Sequence, residues 1–244
     1  MEYENYQIRR NIDSIRLYEM KNFSLVATTR IKDINIKEVL TKYMNENYGE
    51  AKDFDSYIFL SQQMQADAYK KAIEAQRRAK PFCMGTLYWQ MNDTWPAITW
   101  STMDYDGFRK PAWYSTNAAY RPLILSATTN NGNTEVFAVS DYLKDTVVTI
   151  RIHLLDFYGK NIFDSTFTKK ITANSSEIIF SKNTGKFLKG NELNKVVLAM
   201  YIKDDEKPYR NLFYYVKTKE LALPPVKYKT TLRQSAVSTR GTVR

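Results

Sequence analysis

The residue types best suited to chemistry are concentrated in one aromatic and polar segment. Three tryptophans, Trp89, Trp95 and Trp100, lie close together along the chain. Amide and carboxylate side chains accompany them: Gln90, Asn92, Asp93 and Asp104. Indole rings present flat apolar faces that suit the C–H faces of a sugar, while amides and carboxylates form hydrogen bonds with hydroxyl groups. The composition predicts a carbohydrate site. The alternative is that the tryptophans fill one end of the fold and Asp93 caps a turn.

The segments on either side of this loop predict helices. A long helix is expected to begin near Asp53 or Asp55 and to end at Pro81. Its apolar positions recur at helical spacing: Tyr57, Leu60, Met64, Ala68 and Ala72. Glu74 is expected on a solvated face of this helix. Residues Pro111–Arg121 predict a further helix with proline in its first turn.

A short apolar run, Phe82–Trp89, lies between the long helix and the loop. Such a run after a helix predicts a buried strand of a parallel sheet. The order helix, strand, long loop and helix is typical of one unit of an α/β fold.

Beyond Pro122 the pattern changes to that of an all-β domain. Val148, Ile150, Ile152 and Leu154 alternate with polar residues, as in a half-buried strand. Turn signals recur at Asn131-Gly132, Tyr158-Gly159, Asn174-Ser175 and Thr184-Gly185. About seven short strands spaced in this way predict an immunoglobulin-like sandwich.

Composition excludes several classes of function. One cysteine, Cys83, excludes a disulfide framework, and one histidine, His153, argues against sites that need several imidazoles. No apolar run is long enough to span a bilayer, so no membrane partner is expected. Half of the net charge of +10 comes from the basic C-terminal end, Lys227–Arg244, which has five basic residues and no acidic one. That segment could bind phosphate or be a solvated tail. No nucleic-acid motif accompanies it, so no nucleic-acid partner is expected.

The segment Gly85–Pro96 closely resembles the end of the catalytic barrel in β-mannosidases of glycoside hydrolase family 2. The resemblance spans roughly Ile36–Pro225. It is carried further by Asp53-Phe54, Ser61-Gln62, Gln65-Ala66, Arg77-Arg78, Lys80-Pro81, Ala112-Trp113-Tyr114, Tyr214–Lys217 and Leu221–Pro224. The fold class implied is α/β plus all-β: a C-terminal fragment of a (β/α)8 barrel followed by an immunoglobulin-like β-sandwich. The implied domains are a partial TIM barrel over 1–121, a sandwich over 122–223 and a basic linker or tail over 224–244.

By that resemblance, Trp89 lies on the wall of the subsite that holds the cleaved mannose. Asn92, Asp93 and Trp95 correspond to neighbours that shape the pocket. The implied substrate is a β-mannoside, and neither a cofactor nor a metal is implied. Removal of terminal β-mannosyl residues is the activity expected of the intact enzyme, with the rest of the barrel as this chain's partner.

Retaining glycosidases need two carboxyl groups about 5 Å apart, and the resemblance places both on glutamates at the ends of earlier barrel strands. Neither sequence context is found at a usable place. Asn45-Glu46 falls within a predicted helix, and Asn191-Glu192 falls in a loop of the sandwich. We therefore assign no catalytic residue and expect the chain to be inactive alone. An incomplete barrel is also a reason to expect a homo-oligomer. The alternative function is a non-catalytic carbohydrate-binding or structural module.

Overall fold

The computed structural model describes residues 36–96, 99–203 and 209–225. Predictions that fall on residues 1–35 and on the basic segment after residue 225 lie outside these ranges. Four helices of five or more residues occur in the described part: α1 (Ile36–Asn47), α2 (Phe54–Arg78), α3 (Pro111–Ala119) and α4 (Thr184–Leu188). Two short 3₁₀ helices are Leu193–Lys195 and Thr218–Glu220.

The long helix α2 is the support on which the rest of the N-terminal part is arranged. Its predicted start is confirmed, because the Asp53 side chain accepts a hydrogen bond of 2.7 Å from the backbone N–H of Ser56. Arg77 and Arg78 lie in its last turn, where positive charge is favoured by the helix dipole. The predicted helix at Pro111 is also confirmed, with proline in the first turn of α3.

The C-terminal part is a sandwich of two antiparallel sheets, as the alternation predicts. The seven strands are β1 (Leu123–Asn130), β2 (Asn133–Ser140), β3 (Thr146–Asp156), β4 (Asn161–Ile171), β5 (Ser176–Asn183), β6 (Val196–Ile202) and β7 (Tyr209–Phe213). One sheet has the order β1-β2-β5 and the other β4-β3-β6-β7. The predicted immunoglobulin-like sandwich is confirmed.

The sandwich closes around its own apolar core. Fully buried side chains come from both sheets: Ile124, Leu125, Val136, Val139, Ile150, Ile152, Leu154, Leu198 and Met200. Each such side chain contributes roughly 1.5–3 kcal/mol by leaving water. The aromatic rings of Phe163, Phe180 and Phe187 pack together at centroid distances of 5.1–5.7 Å.

The turn signals are accounted for in detail. Asn131 and Gly132 form the two-residue loop between β1 and β2, with φ of 46° and 76°. Left-handed φ at both positions is the requirement of a type I′ turn, which asparagine and glycine meet at low cost. The turn predicted at Thr184-Gly185 is wrong, because these residues belong to a helix. Thr184 begins α4, and Asn183 caps it by accepting a hydrogen bond of 3.2 Å from the backbone N–H of Lys186.

The predicted strand over Phe82–Trp89 is wrong, because these residues form no strand in the structure. A strand of a parallel sheet needs hydrogen-bonded neighbours, and none of the described strands pairs with this segment. Phe82 and Leu87 are instead 96% and 98% exposed. An apolar run with its side chains in water is the main departure of the fold from the sequence pattern.

The predicted apolar stripe of α2 is wrong in its C-terminal half. Ala68 and Ala72 are exposed, whereas Ala66, Ile73, Glu74 and Arg77 are buried. The expectation that Glu74 lies on a solvated face is therefore also wrong, since this residue is 5% exposed. Long polar side chains take the place of apolar ones because α2 is joined to the sandwich through hydrogen bonds.

The buried carboxylate of Glu74 joins α2 to both sheets. It accepts hydrogen bonds from Ser126 Oγ in β1 at 2.7 Å and from Asn211 Nδ2 in β7 at 2.9 Å. Lys70 Nζ lies 2.9 Å from its Oε1, and Arg78 Nη1 donates to Ser126 Oγ at 2.5 Å. Every polar atom of the carboxylate thus has a partner, as a buried charge requires.

Arg77 makes a second junction one turn further along α2. Its guanidinium donates to the backbone carbonyls of Ala119 and Arg121, the latter at 2.9 Å, and to Asp141 Oδ2 at 2.8 Å. The end of α3 and the end of β2 are therefore held by one side chain. Lys80 adds a hydrogen bond of 3.0 Å to the carbonyl of Ser140.

Replacing Tyr215 by phenylalanine is expected to reduce the loss of stability at alkaline pH. Burial raises the pKa of Tyr215 to about 12 from its ordinary 10.0. Between these values the unfolded chain loses a proton that the folded chain keeps, so stability falls as pH rises, by about 1.4 kcal/mol per pH unit. Urea unfolding from about pH 9.5 to 11.5 should show a slope smaller by that amount in Tyr215→Phe. Tyr158→Phe, at an exposed turn, is the control, and an unchanged slope in Tyr215→Phe would contradict the expectation.

Candidate functional site

The loop between α2 and α3 is held together by a short backbone pairing. The N–H of Thr102 donates to the carbonyl of Gln90 at 3.1 Å, and the N–H of Met103 donates to the carbonyl of Met91 at 2.9 Å. The N–H of Asp93 then donates to the carbonyl of Met103 at 3.2 Å. The two ends of the aromatic loop are thereby brought side by side.

Helix α2 supports this pairing from behind. The Tyr69 hydroxyl lies 2.8 Å from the carbonyl oxygen of Trp89 and 2.9 Å from that of Trp100. Gln65, one turn earlier, donates from Nε2 to the Trp100 carbonyl at 2.7 Å. Tyr88 packs against the Tyr69 ring at 5.4 Å. The backbone of both tryptophans is therefore fixed to one face of α2.

A buried ion pair forms the centre of the loop. Asp93 is 6% exposed, and its Oδ2 lies 3.6 Å from Lys110 Nζ. Ser101 Oγ donates to the same oxygen at 2.7 Å and accepts from Lys110 Nζ at 2.7 Å. Gln90 Nε2 donates to the other carboxylate oxygen at 3.2 Å, and Thr99 also donates to it. The carboxylate is thus fully engaged within the loop.

The electrostatics of this centre are set by its burial. Burial lowers the pKa of Lys110, and the carboxylates of Asp93 and Asp104 oppose that shift by favouring the charged ammonium. Burial also raises the pKa of Tyr69. The Tyr69 hydroxyl therefore keeps its proton, which it needs in order to donate to a carbonyl.

The four residues assigned to substrate binding fall in two different environments. Trp89 is 75% exposed, and Trp95 and Asn92 are also exposed. Asp93 is buried beneath them. Trp100, the third indole of the loop, is exposed. The structure therefore brings the four residues into one loop, with three at its surface and Asp93 at its centre.

Exposed apolar side chains occur along the loop and the segment before it, and we call this set the open edge. It comprises Phe82, Met84, Leu87, Trp89, Met91, Trp95 and Trp100. Exposed apolar residues that lie together mark sites of protein or ligand binding. The open edge is thus the surface that a partner or ligand would cover.

Three residues of the site were missed by sequence reasoning. Gln65 and Tyr69 bond to backbone carbonyls of the loop, and Lys110 pairs with Asp93. Gln65 and Tyr69 are four positions apart and so share one helix face. That spacing is a signal for a common contact, although it does not identify backbone carbonyls as the acceptors. Nothing in the sequence around Lys110 indicates a buried ammonium.

Metal and membrane features are lacking in the ranges that the structure describes. Within them, no three or more His, Cys, Asp or Glu side chains are grouped as potential metal ligands. None of the helices described has both the length and the apolar character needed to cross a bilayer.

The fold and the site together define the class of this protein: a two-sheet immunoglobulin-like domain joined to helices that carry an aromatic loop. Residues 132–220 match the family model of the mannosidase Ig/CBM-like domain. The resemblance indicated by the motifs is confirmed: the chain is similar to the C-terminal region of family 2 β-mannosidases.

Relatives and solved structures support that assignment. β-Mannosidase A of Aspergillus clavatus is 36% identical over 115 residues, which are 45% of this chain and 12% of that protein. The β-mannosidase of Capra hircus is 30% identical over 146 residues, 56% of this chain and 17% of that protein. The crystal structure of β-D-mannosidase from Dictyoglomus thermophilum superposes with a TM-score of 0.70 at 30% identity, over 77% of this chain and 23% of that one.

A more distant structure shares the fold alone. The exo-chitosanase CsxA of Amycolatopsis orientalis matches with a TM-score of 0.63 at 17% identity, over 75% of this chain and 22% of that one. The chain spans less than a fifth of the length of the two curated relatives named above. The match is therefore to one region of much longer enzymes.

Proposed function

We propose that this chain is the C-terminal part of a retaining, β-mannosidase-like glycoside hydrolase that removes terminal β-mannosyl residues. The observation that carries the proposal is the combination of a fixed backbone and an exposed indole at Trp89. Its carbonyl is 2.8 Å from the Tyr69 hydroxyl while its side chain is 75% exposed. An exposed indole on a backbone that is held in place suits stacking on a sugar, because the apolar face is available and less backbone entropy is lost on binding. The named activity of the relatives supports a β-mannoside as substrate.

Within this proposal Trp89 stacks on the mannose that is cleaved, and Trp95 and Asn92 line the same pocket. Asp93 acts beneath them, by holding the loop through Lys110 and Ser101. Its carboxylate is occupied by those contacts, so we do not give it an acid or base role. The two carboxyl groups that retaining cleavage needs come from the remainder of the catalytic barrel, and the chain alone does not hydrolyse.

The part of the open edge that precedes the loop, Phe82, Met84 and Leu87, is the surface on which that remainder would pack. The order of elements matches that of a barrel unit: helix α2 comes first, then the segment of residues 82–89, then helix α3. A neighbouring parallel strand would give residues 82–89 the hydrogen-bonded partner they lack in this structure, and would cover Phe82 and Leu87. In its absence the same apolar surface would favour association with a second copy of the chain.

The proposal is tested by assaying the purified chain with an aryl β-mannoside and by titrating mannobiose. We expect no turnover above the blank and a saturable quenching of tryptophan fluorescence. Trp89→Ala should abolish the quenching. Trp113→Phe is the matched control, because it removes the tryptophan of α3, whose ring packs on Arg109 at 4.2 Å and which lies outside the segment 89–100. Turnover that survives Trp89→Ala but is lost in Asp93→Asn would overturn the proposal.

The second candidate is a non-catalytic carbohydrate-binding or structural module, which the Ig/CBM-like description of residues 132–220 favours. The two candidates differ in whether this chain should restore activity to a β-mannosidase that lacks the corresponding region. A D. thermophilum β-mannosidase truncated before the region that this chain matches would be mixed with the purified chain. Recovery of β-mannosidase activity supports the enzyme part, whereas mannobiose binding without any recovery supports the module.

A further inference from the structure

We propose that Tyr69 is a positioning residue that holds Trp89 and Trp100 at a fixed separation on the sugar-binding face. This inference deepens the proposed function and rests on it for the ligand. Tyr69 lies on α2, outside the loop. It acts through the backbone carbonyls of the two tryptophans, at 2.8 Å and 2.9 Å.

The position of these carbonyls explains why one hydroxyl can control both indoles. The backbone pairing of the loop runs from Gln90 with Thr102 to Met91 with Met103. Trp89 directly precedes Gln90, and Trp100 precedes Thr102 by two residues, so both tryptophans lie at the N-terminal end of the two paired segments. The Tyr69 hydroxyl lies between them at this end. Among the described residues, Tyr69 is the donor that the two tryptophan carbonyls have in common.

A single hydroxyl proton must serve both carbonyls, so the bond is shared between them. Gln65 Nε2 supplies a second donor to the Trp100 carbonyl at 2.7 Å, which leaves the Tyr69 proton most needed at Trp89. The ring of Tyr69 is itself held by Tyr88, 5.4 Å away, and Tyr88 stacks on Tyr120 at 6.2 Å. The hydroxyl is thus pre-positioned by packing rather than by the loop that it supports.

The variant Tyr69→Phe removes the hydroxyl and keeps the ring. We expect amide hydrogen exchange at Thr102 and Met103 to become about five to ten times faster, in line with the loss of one net hydrogen bond. Exchange in the sandwich, at Ile152 for example, and the midpoint of thermal unfolding should not change. The mannobiose dissociation constant should rise about tenfold. Tyr114→Phe, exposed on α3, is the matched control and should change none of these.

The outcomes separate this inference from the proposed function. Unchanged exchange at Thr102 and Met103 in Tyr69→Phe would overturn the positioning role. Faster exchange with a mannobiose dissociation constant within twofold of wild type would also overturn it, because the hydroxyl would then be merely structural. If the wild-type chain binds no mannobiose, the proposed function fails. The positioning role is then judged by exchange and by acrylamide quenching of the tryptophans, which should increase in Tyr69→Phe.

Discussion

Glu74→Ala is expected to lower the free energy of unfolding by about 3 kcal/mol. The carboxylate is buried and receives hydrogen bonds from Ser126 and Asn211, which belong to different sheets. Its removal leaves the buried Ser126 hydroxyl without its acceptor and leaves Asn211 Nδ2 with only the Leu125 carbonyl, at 2.8 Å. It also leaves Lys70 without its partner at 2.9 Å. Unsatisfied buried polar groups cost about 1–3 kcal/mol each. Urea unfolding followed by circular dichroism measures the change.

Glu192→Ala is the matched control for this experiment. Glu192 also pairs with a lysine, Lys195 at 2.6 Å, but both side chains are exposed. Exposed pairs contribute about 0–1 kcal/mol, so the control should unfold almost as the wild type does. Equal effects of the two substitutions would mean that Glu74 does not join α2 to the sandwich in solution.

Asp93→Ala is expected to open the aromatic loop. The substitution removes the ion-pair partner of the largely buried Lys110 ammonium and leaves Asp104 as the other carboxylate that favours its charge. Breaking a buried pair by removing one partner costs up to about 3–5 kcal/mol. We expect faster hydrogen exchange throughout residues 90–103 and cleavage by protease within the loop, while the sandwich remains folded. Hydrogen exchange with mass spectrometry measures both regions at once.

Two further variants test whether the loop opens because the buried Lys110 charge has lost its partner. The double substitution Asp93→Ala with Lys110→Met removes both charges of the pair and should recover part of the loss, because the buried ammonium that lost Asp93 is no longer present. Asp106→Ala changes an exposed aspartate of the same loop and should leave exchange as in the wild type. A double variant less stable than Asp93→Ala would contradict the ion-pair explanation.

The sandwich was the part of the fold best predicted from sequence. The alternation of Val148, Ile150, Ile152 and Leu154 is realised as four inward-facing side chains of β3. Asn131-Gly132 specifies its hairpin directly, because few other pairs adopt left-handed φ at two successive positions. In both cases a short stretch of chain contains the whole signal.

The N-terminal part was predicted less well because its contacts are distant in sequence. The apolar run at residues 82–89 has the composition of a strand, but composition does not supply the neighbouring strand that hydrogen bonding requires. Glu74 has the appearance of a surface residue until Ser126 and Asn211 are brought against it by folding. Neither partner could be identified from the helix's own periodicity.

The sequence predicted which segment forms the candidate site, but not which residues of α2 hold that segment in place. Its aromatic and polar residue types indicated the loop. Tyr69 and Gln65 act on backbone carbonyls, which every residue has, so no side-chain pattern marks the acceptor. These two support residues are therefore defined only by where folding places the carbonyls that they bond.

Helix α2 makes its two sets of contacts at Tyr69 and at Glu74, one toward the loop and the other toward the sandwich. Each residue of an α-helix advances the chain by about 1.5 Å and rotates it by about 100°. Inserting or deleting one residue between these positions would turn one set of contacts away while the other stayed in place. Substitutions between them, such as at exposed Ala72, leave the rotation along the helix from Tyr69 to Glu74 unchanged. This stretch is thus constrained in length more strictly than in composition, and a homologue that keeps both contact sets must keep the same number of residues between them.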